Sequence, residues 1–246
     1  MSTVIIIPAR LASTRLPNKP VLLIAGKPMI VHVVERALEA DIGPVLVACA
    51  ERDIADAVQH TGATALLTNP NHPSGTDRIY EALQSYPAYT KVETVINLQG
   101  DLPTINPDHI RFTLRMLNEH PECDISTLAV AIPQHEAEDR QNPNIVKAVI
   151  RFNTADANNG KALYFTRASA PWGDGLLYHH IGIYGYRRAS LERFVSLAPS
   201  PLEQRERLEQ LRALENGMSI QVGIIDGVPL GVDTRADLEK AELLLS

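Results

Sequence analysis

Four consecutive apolar residues, Val4-Ile5-Ile6-Ile7, stand close to the start of the chain and give way at once to a polar run from Pro8 to Pro20. A short unbroken run of β-branched residues reads as a strand buried on both faces, which requires a sheet covered by helices on either side. The run is therefore expected to be a central first strand. Ile30, Val33, Val34, Ala37 and Leu38 then recur at helical spacing, and Val45-Leu46-Val47-Ala48 follows as a second buried strand. Together they form one strand–helix–strand unit.

The same rhythm continues. A helix is expected near Arg52–His60, a strand at Ala63–Leu67, a helix from Thr76 to Ser85 and a strand at Thr94–Leu98. Helices then read at Pro107–His120, Glu203–Glu215 and Thr234–Leu245, with strands at Ile125–Ala131, Lys161–Thr166 and His179–Tyr186, the last two as antiparallel additions. Alternation of this kind predicts an α/β fold with an open, mostly parallel sheet, extended by an added mixed-strand subregion. One elaborated domain over residues 1–246 is expected: a first half to about 131, a covering region at about 132–220, and a C-terminal motif and helix at about 221–246. In open sheets of this type ligands lie beyond the carboxyl ends of the strands, so the loops after Ile7 and Leu98 are the first places to look.

Composition narrows the function. A net charge of -6 and a pI near 5.8 oppose a protein that wraps a nucleic acid backbone. No stretch approaches the ~18 apolar residues of a membrane span, and the N-terminus lacks the basic and apolar regions of a signal peptide. Cys49 and Cys123 are too few and too far apart for a disulfide framework or zinc knuckle. A cytoplasmic protein with two buried core thiols is expected.

The loop after the first strand carries Arg10, Arg15 and Lys19 within ten residues. Paired guanidinium donors, a compact ammonium and loop amides make such a place suited to phosphate, although a solvated basic loop would have the same composition. The loop is neither a Walker A motif nor a dinucleotide-binding glycine fingerprint. Ile7-Pro8-Ala9-Arg10-Leu11-Ala12-Ser13-Thr14-Arg15-Leu16-Pro17-Asn18-Lys19-Pro20, with Gly26-Lys27-Pro28-Met29, instead resembles the opening of the 3-deoxy-manno-octulosonate cytidylyltransferases. The related sialic acid enzymes resemble it less, usually carrying Gly-Gly-Ser-Lys where this chain has Ala12-Ser13-Thr14-Arg15.

The resemblance implies a nucleotide-diphospho-sugar transferase-like fold that binds CTP and a 3-deoxy octulosonic acid sugar, uses Mg²⁺ and acts as a homodimer in lipopolysaccharide synthesis. Arg10 and Lys19 would hold the phosphates with the Ala9–Arg10 backbone close by, and Asn18 replaces a common family glycine. Ser74-Gly75-Thr76-Asp77-Arg78 resembles the cytosine-binding segment, so Ser74, Gly75 and Arg78 are expected on the base; by local chemistry Ser74 or Thr76 could equally cap a helix.

Gln99-Gly100-Asp101-Leu102-Pro103 puts a carboxylate at the end of a central strand, and Gly231-Val232-Asp233-Thr234 offers a second just before the last helix. Alone, Asp101 could be a turn residue and Asp233 a helix cap. The resemblance makes this pair the magnesium ligands and, with Lys19, the catalytic residues, while Gln99 contacts both nucleotide and sugar. One or two carboxylates suit Mg²⁺, which completes its shell with phosphate and water. Leu102 stands where the family usually has Glu.

On the sugar side the resemblance is to Ala162–Ala168, His180–Arg187 and Leu208–Arg212, implying Arg167, His180, Tyr184, Glu209 and Gln210 as sugar contacts. As single residues His180 and Tyr184 read as core side chains and Glu209 and Gln210 as a solvated helix face. His179 replaces a common Lys or Arg, and the connection from Trp172 to His179 is short. The alternatives are a cytidylyltransferase for another acid sugar, 8-amino-3,8-dideoxy-manno-octulosonate or sialic acid, and a non-catalytic nucleotide-binding module.

Overall fold

A computed structural model of the chain describes residues 2–13, 15–153 and 156–246. Thr14, part of the first-loop motif, lies outside the described residues. The chain forms two compact units, Met1–Arg111 with Pro229–Ser246, and Phe112–Val228.

The first unit is built on four parallel strands. Thr3–Ala9 lies between Val45–Cys49 and Thr94–Leu98, and Thr64–Leu67 pairs outside Val45–Cys49. Val4 to Ile7, Leu46 to Cys49 and Val95, Ile96 and Leu98 are wholly inaccessible. The apolar runs are thus the two-faced strands that their composition predicts. Helices Met29–Glu39, Arg52–Val58 and Gly75–Ser85 separate the strands in sequence. On the first of them Ile30, Val33, Val34 and Ala37 are fully buried, as their spacing requires.

Strand order explains where a ligand can enter. The chain moves outward from Thr3–Ala9 through Val45–Cys49 to Thr64–Leu67, then returns to place Thr94–Leu98 on the opposite side of the first strand. The connections leaving Thr3–Ala9 and Thr94–Leu98 therefore diverge, opening a crevice at their carboxyl ends. The closing helix Arg235–Leu245 belongs to this unit, where Leu238 and Ala241 pack with Leu16, Ile24, Met29 and Val232. That small core anchors the residues around Asp233 beside the first loop.

The second unit is mixed. Ile125–Ile132 pairs antiparallel with Leu177–Arg187 and parallel with Ile220–Ile224, which in turn lies antiparallel to Asp156–Thr166; Lys147–Asn153 completes an antiparallel hairpin with the last. The expected antiparallel strands are present. The sequence reading missed Lys147–Asn153, Ile220–Ile224 and the helix Arg188–Ser196.

One expected element is corrected. The single helix over 203–215 is two, Pro201–Glu206 and Gln210–Glu215, because Arg207 adopts the left-handed conformation with φ 57° and ψ 47° and ends the first. The Leu208 amide then bonds the Glu203 carbonyl at 3.2 Å. The reversal lets Arg212 grip the Glu203 carboxylate with two donors at 2.9 and 2.6 Å, both side chains being nearly buried. A continuous helix would hold residues nine apart about 13 Å from one another along its axis.

Candidate active site

The crevice of the first unit is a cavity of about 370 Å³, within the range of small-molecule sites. Pro8 to Arg10, Ser13, Arg15 and Lys19 line it from the first loop, Ser74, Gly75 and Arg78 from the start of Gly75–Ser85, and Gln99 to Asp101 and Asp233 from the remaining loops. Every nucleotide-side residue expected from the sequence is therefore in one cleft.

Its centre is Lys19. The ammonium nitrogen lies 2.8 Å from Asp101 Oδ2 and 3.0 Å from Asp233 Oδ1, although the carboxylates are far apart in the chain. Burial alone would lower the lysine pKa; Asp101 and then Asp233 outweigh it and hold it above the ordinary value. The Val232 amide donates to the Asp101 carbonyl at 2.9 Å, and the Leu230 amide to Thr104 Oγ1 at 3.0 Å, fastening the two acidic loops together. Asp233 is not the helix cap: Thr234 caps Arg235–Leu245 in a reciprocal box with Asp237, which leaves the Asp233 carboxylate to the cleft. Arg15, not singled out among the expected site residues, holds the other oxygen of Asp233 at 2.9 Å.

The first loop owes its shape to local chemistry. Asn18 occupies the left-handed region at φ 58° and starts the short 3₁₀ turn Lys19–Val21. Asparagine tolerates this conformation better than other side-chain-bearing residues, and glycine takes it freely. Glu51, from the end of the neighbouring strand, accepts from the Leu11 amide at 2.9 Å and ties down the loop's middle. Gly100 lets the two loops approach closely, since a Cβ there would lie 3.0 Å from the Pro8 carbonyl oxygen. Gln99 donates to Asn97 Oδ1 at 3.1 Å.

Ser74 both caps its helix, accepting from the Asp77 amide at 3.1 Å, and lines the cleft. Capping and site membership are compatible here. Arg78 is almost wholly buried; its guanidinium donates to Thr68 Oγ1 at 2.6 Å and to the Pro70 carbonyl at 3.3 Å. Burial lowers its pKa, Glu51 opposes that shift, and Arg10 adds to it. His72, which the sequence reading passed over, faces the same cleft and pairs with Glu81.

The remaining expected residues belong to the second unit. His180 is buried, its ring 4.8 Å from that of Phe165 and 5.5 Å from that of Tyr184. Its Nε2 is 2.9 Å from Thr127 Oγ1 and its Nδ1 is 3.5 Å from Gln210 Nε2. Burial, reinforced by His179, depresses its pKa to about 3, so the ring is neutral. Burial and Glu209 push the Tyr184 phenol upward. His180, Tyr184, Glu209 and Gln210 are therefore one cluster. Arg167 donates through Nε to the Glu206 carbonyl at 2.8 Å and through Nη1 to the Pro143 carbonyl at 2.9 Å.

A family model for cytidylyltransferases matches residues 4–220. A 3-deoxy-manno-octulosonate cytidylyltransferase from Rhodopseudomonas palustris (strain HaA2) is 58% identical over 244 residues, covering 99% of this chain and 98% of the relative. That of Mesorhizobium japonicum is 56% identical over 246 residues, covering both chains completely. The chain belongs to the 3-deoxy-manno-octulosonate cytidylyltransferase family. A solved CMP:2-keto-3-deoxy-manno-octonic acid synthetase complexed with CTP is similar at a TM-score of 0.90 and 39% identity, covering 100% of this chain and 98% of that one. A cytidylyltransferase structure from Leptospira borgpetersenii, at a TM-score of 0.64 and 17% identity over 98% of this chain and 85% of that one, shares the fold.

The departures from the pattern of these cytidylyltransferases have physical readings. Leu102, in place of the usual Glu, is buried at 8% exposure beside Gly231 and supports the acidic loops by packing. His179 is in register with Lys147, a fully buried lysine whose ammonium donates to the Asn142 carbonyl at 2.6 Å. Burial lowers the His179 pKa, so a neutral ring stands where a second cation would face Lys147. Cys49 and Cys123 are buried thiols with pKa values pushed by burial to about 12 and about 11. Among the described residues no helix is long and apolar enough to cross a membrane.

Proposed function

We propose that the chain transfers CMP from CTP to the anomeric hydroxyl of 3-deoxy-manno-octulosonate, releasing pyrophosphate and activating the sugar for lipopolysaccharide synthesis. The observation that carries this reading is the convergence of Asp101 and Asp233 on Lys19 in a cleft lined by Arg10 and by Ser74, Gly75 and Arg78. The sugar oxygen forms a bond to the α-phosphorus as the bond to the bridging oxygen of pyrophosphate breaks in line. The hydroxyl proton passes to solvent, with no side chain assigned as obligatory base.

Two anionic reactants must be brought together, so positioning and charge neutralisation dominate the work of the protein. Arg10 and Lys19 take the triphosphate, with the Ala9–Arg10 backbone beside it. Ser74, Gly75 and Arg78 select the base, Arg78 being held by Thr68 and Pro70. Gln99 lies between the nucleotide and the sugar in this reading, and Arg167, His180, Tyr184, Glu209 and Gln210 serve the sugar.

Asp101 and Asp233 fit a magnesium ion: their oxygens already share one cation, the Lys19 ammonium, and both are hard oxygen donors. When bound, the ion would supply charge neutralisation and lower the pKa of the attacking hydroxyl. We further infer a cytoplasmic homodimer, in keeping with the buried thiols and with Leu163, Trp172 and Leu176 left exposed on the second unit.

Pyrophosphate release measured across nucleotides and sugar acids tests the assignment. CTP with octulosonate should be the preferred pair. Preference for sialic acid or the 8-amino sugar would overturn the substrate, and CTP binding without turnover on any sugar acid would make the chain a binding module.

A further inference from the structure

Thr127 lies fully buried in Ile125–Ile132, opposite an irregularity in Leu177–Arg187. Ile181 pairs with Leu128 and Tyr184 with Thr127, so Gly182 and Ile183 fall between successive pairs. This bulge aims two carbonyls at one hydroxyl. Thr127 Oγ1 is 2.8 Å from the Ile183 oxygen, 3.1 Å from the Ile181 oxygen and 2.9 Å from His180 Nε2.

A threonine hydroxyl has one proton and accepts through its lone pairs. The Ile183 carbonyl oxygen at 2.8 Å needs that proton between it and Oγ1, because unbridged oxygen atoms so close repel, and the Ile181 oxygen at 3.1 Å is a weaker second acceptor of the same proton. Once the hydroxyl has donated to the carbonyls, it can only accept from His180. The proton of the neutral ring therefore sits on Nε2, and Nδ1 carries the lone pair. Nδ1 faces the Gln210 side chain, and an acceptor there draws the amide nitrogen rather than the amide oxygen.

We propose that Thr127 is a positioning residue for sugar binding: it fixes His180 in the Nε2-protonated tautomer, which turns Gln210 so that Oε1 is presented as an acceptor to a sugar hydroxyl. The proposal rests on the assignment of His180 and Gln210 to the sugar side. It adds the direction of the hydrogen bonds: the histidine ring is a spacer whose only N–H is consumed internally, and Gln210 receives a hydroxyl proton rather than giving one. Neutrality of the ring follows from its burial.

Imidazole ¹⁵N chemical shifts of the histidine-labelled protein distinguish the two tautomers without any assay of activity. In the wild-type protein His180, assigned by the loss of its signals in His180→Asn, should show a protonated Nε2 and an unprotonated Nδ1. Thr127→Val keeps the side-chain shape but removes the acceptor; it should bring the Nδ1-protonated form into the spectrum and raise KM for the octulosonate about tenfold or more, with KM for CTP unchanged. Thr127→Ser should restore both. A wild-type spectrum with the proton on Nδ1 overturns the proposal even if Thr127→Val does not fold. So does a folded Thr127→Val that keeps the Nε2 tautomer and the wild-type KM. If the enzyme prefers another sugar, the substrate assignment fails while the tautomer measurement still decides the role of Thr127.

Discussion

Lys19 and the two carboxylates it joins make the cleft cationic and acidic at once, and the residues around them respond differently to substitution. Asp101→Asn preserves size and one oxygen but removes a charge; pyrophosphate release should fall at least about a hundredfold while the thermal midpoint stays within a few degrees of wild type. Near-normal turnover of that variant at ordinary magnesium would remove the proposed metal site. Asn18→Ala, which puts an ordinary side chain at φ 58°, should cost about 1 kcal/mol in urea unfolding, whereas Asn18→Gly should be nearly neutral. At this scale the sequence was informative where residues are bunched. Arg10, Lys19, Ser74, Gly75, Arg78 and Asp101 are read from short motifs, and all line one cleft. Thr127 carries no such mark, because a hydroxyl inside an apolar strand reads as filler until the opposing bulge is seen.

Elements were legible in proportion to the purity of their pattern. The continuous strands Thr3–Ala9, Val45–Cys49 and Thr94–Leu98 declare themselves because both faces are buried. Lys147–Asn153 hides behind a lysine that is fully buried and satisfied by the Asn142 carbonyl, an arrangement that composition does not announce. Ile220–Ile224 is interrupted by Gly223, where a Cβ would lie 2.7 Å from the Phe112 ring. The reversal at Arg207 uses no glycine, so the helix pattern runs through it unbroken. Its support is the Glu203–Arg212 pair, and Glu203→Gln should destabilise the protein by about 2 kcal/mol or more, because it leaves a nearly buried guanidinium without its counter-charge. Thermal unfolding of that variant should show a lowered midpoint with unchanged KM for CTP.

For the molecule as a whole, His180 links acidity to stability. Its folded pKa of about 3 lies below the ordinary histidine value of 6.5, so between these values the unfolded chain binds a proton that the folded chain refuses. Stability contributed by the neutral ring is complete above 6.5 and is lost as pH falls toward 3, at up to about 1.4 kcal/mol per pH unit. Between pH 7 and pH 5 this group should remove about 2 kcal/mol, and urea titrations of His180→Asn should show a correspondingly smaller loss than wild type.

The hydrogen bond from Val232 to Asp101 joins positions 232 and 101 of a chain that is made from its N-terminus. All four parallel strands of the first unit are synthesised long before Asp233. A ribosome-bound chain stalled ahead of residue 233 would thus hold a nucleotide cleft with only one of its two carboxylates. If the proposed role of Asp101 and Asp233 holds, turnover must wait until the segment from Pro229 onward has been made and has docked beside the first loop.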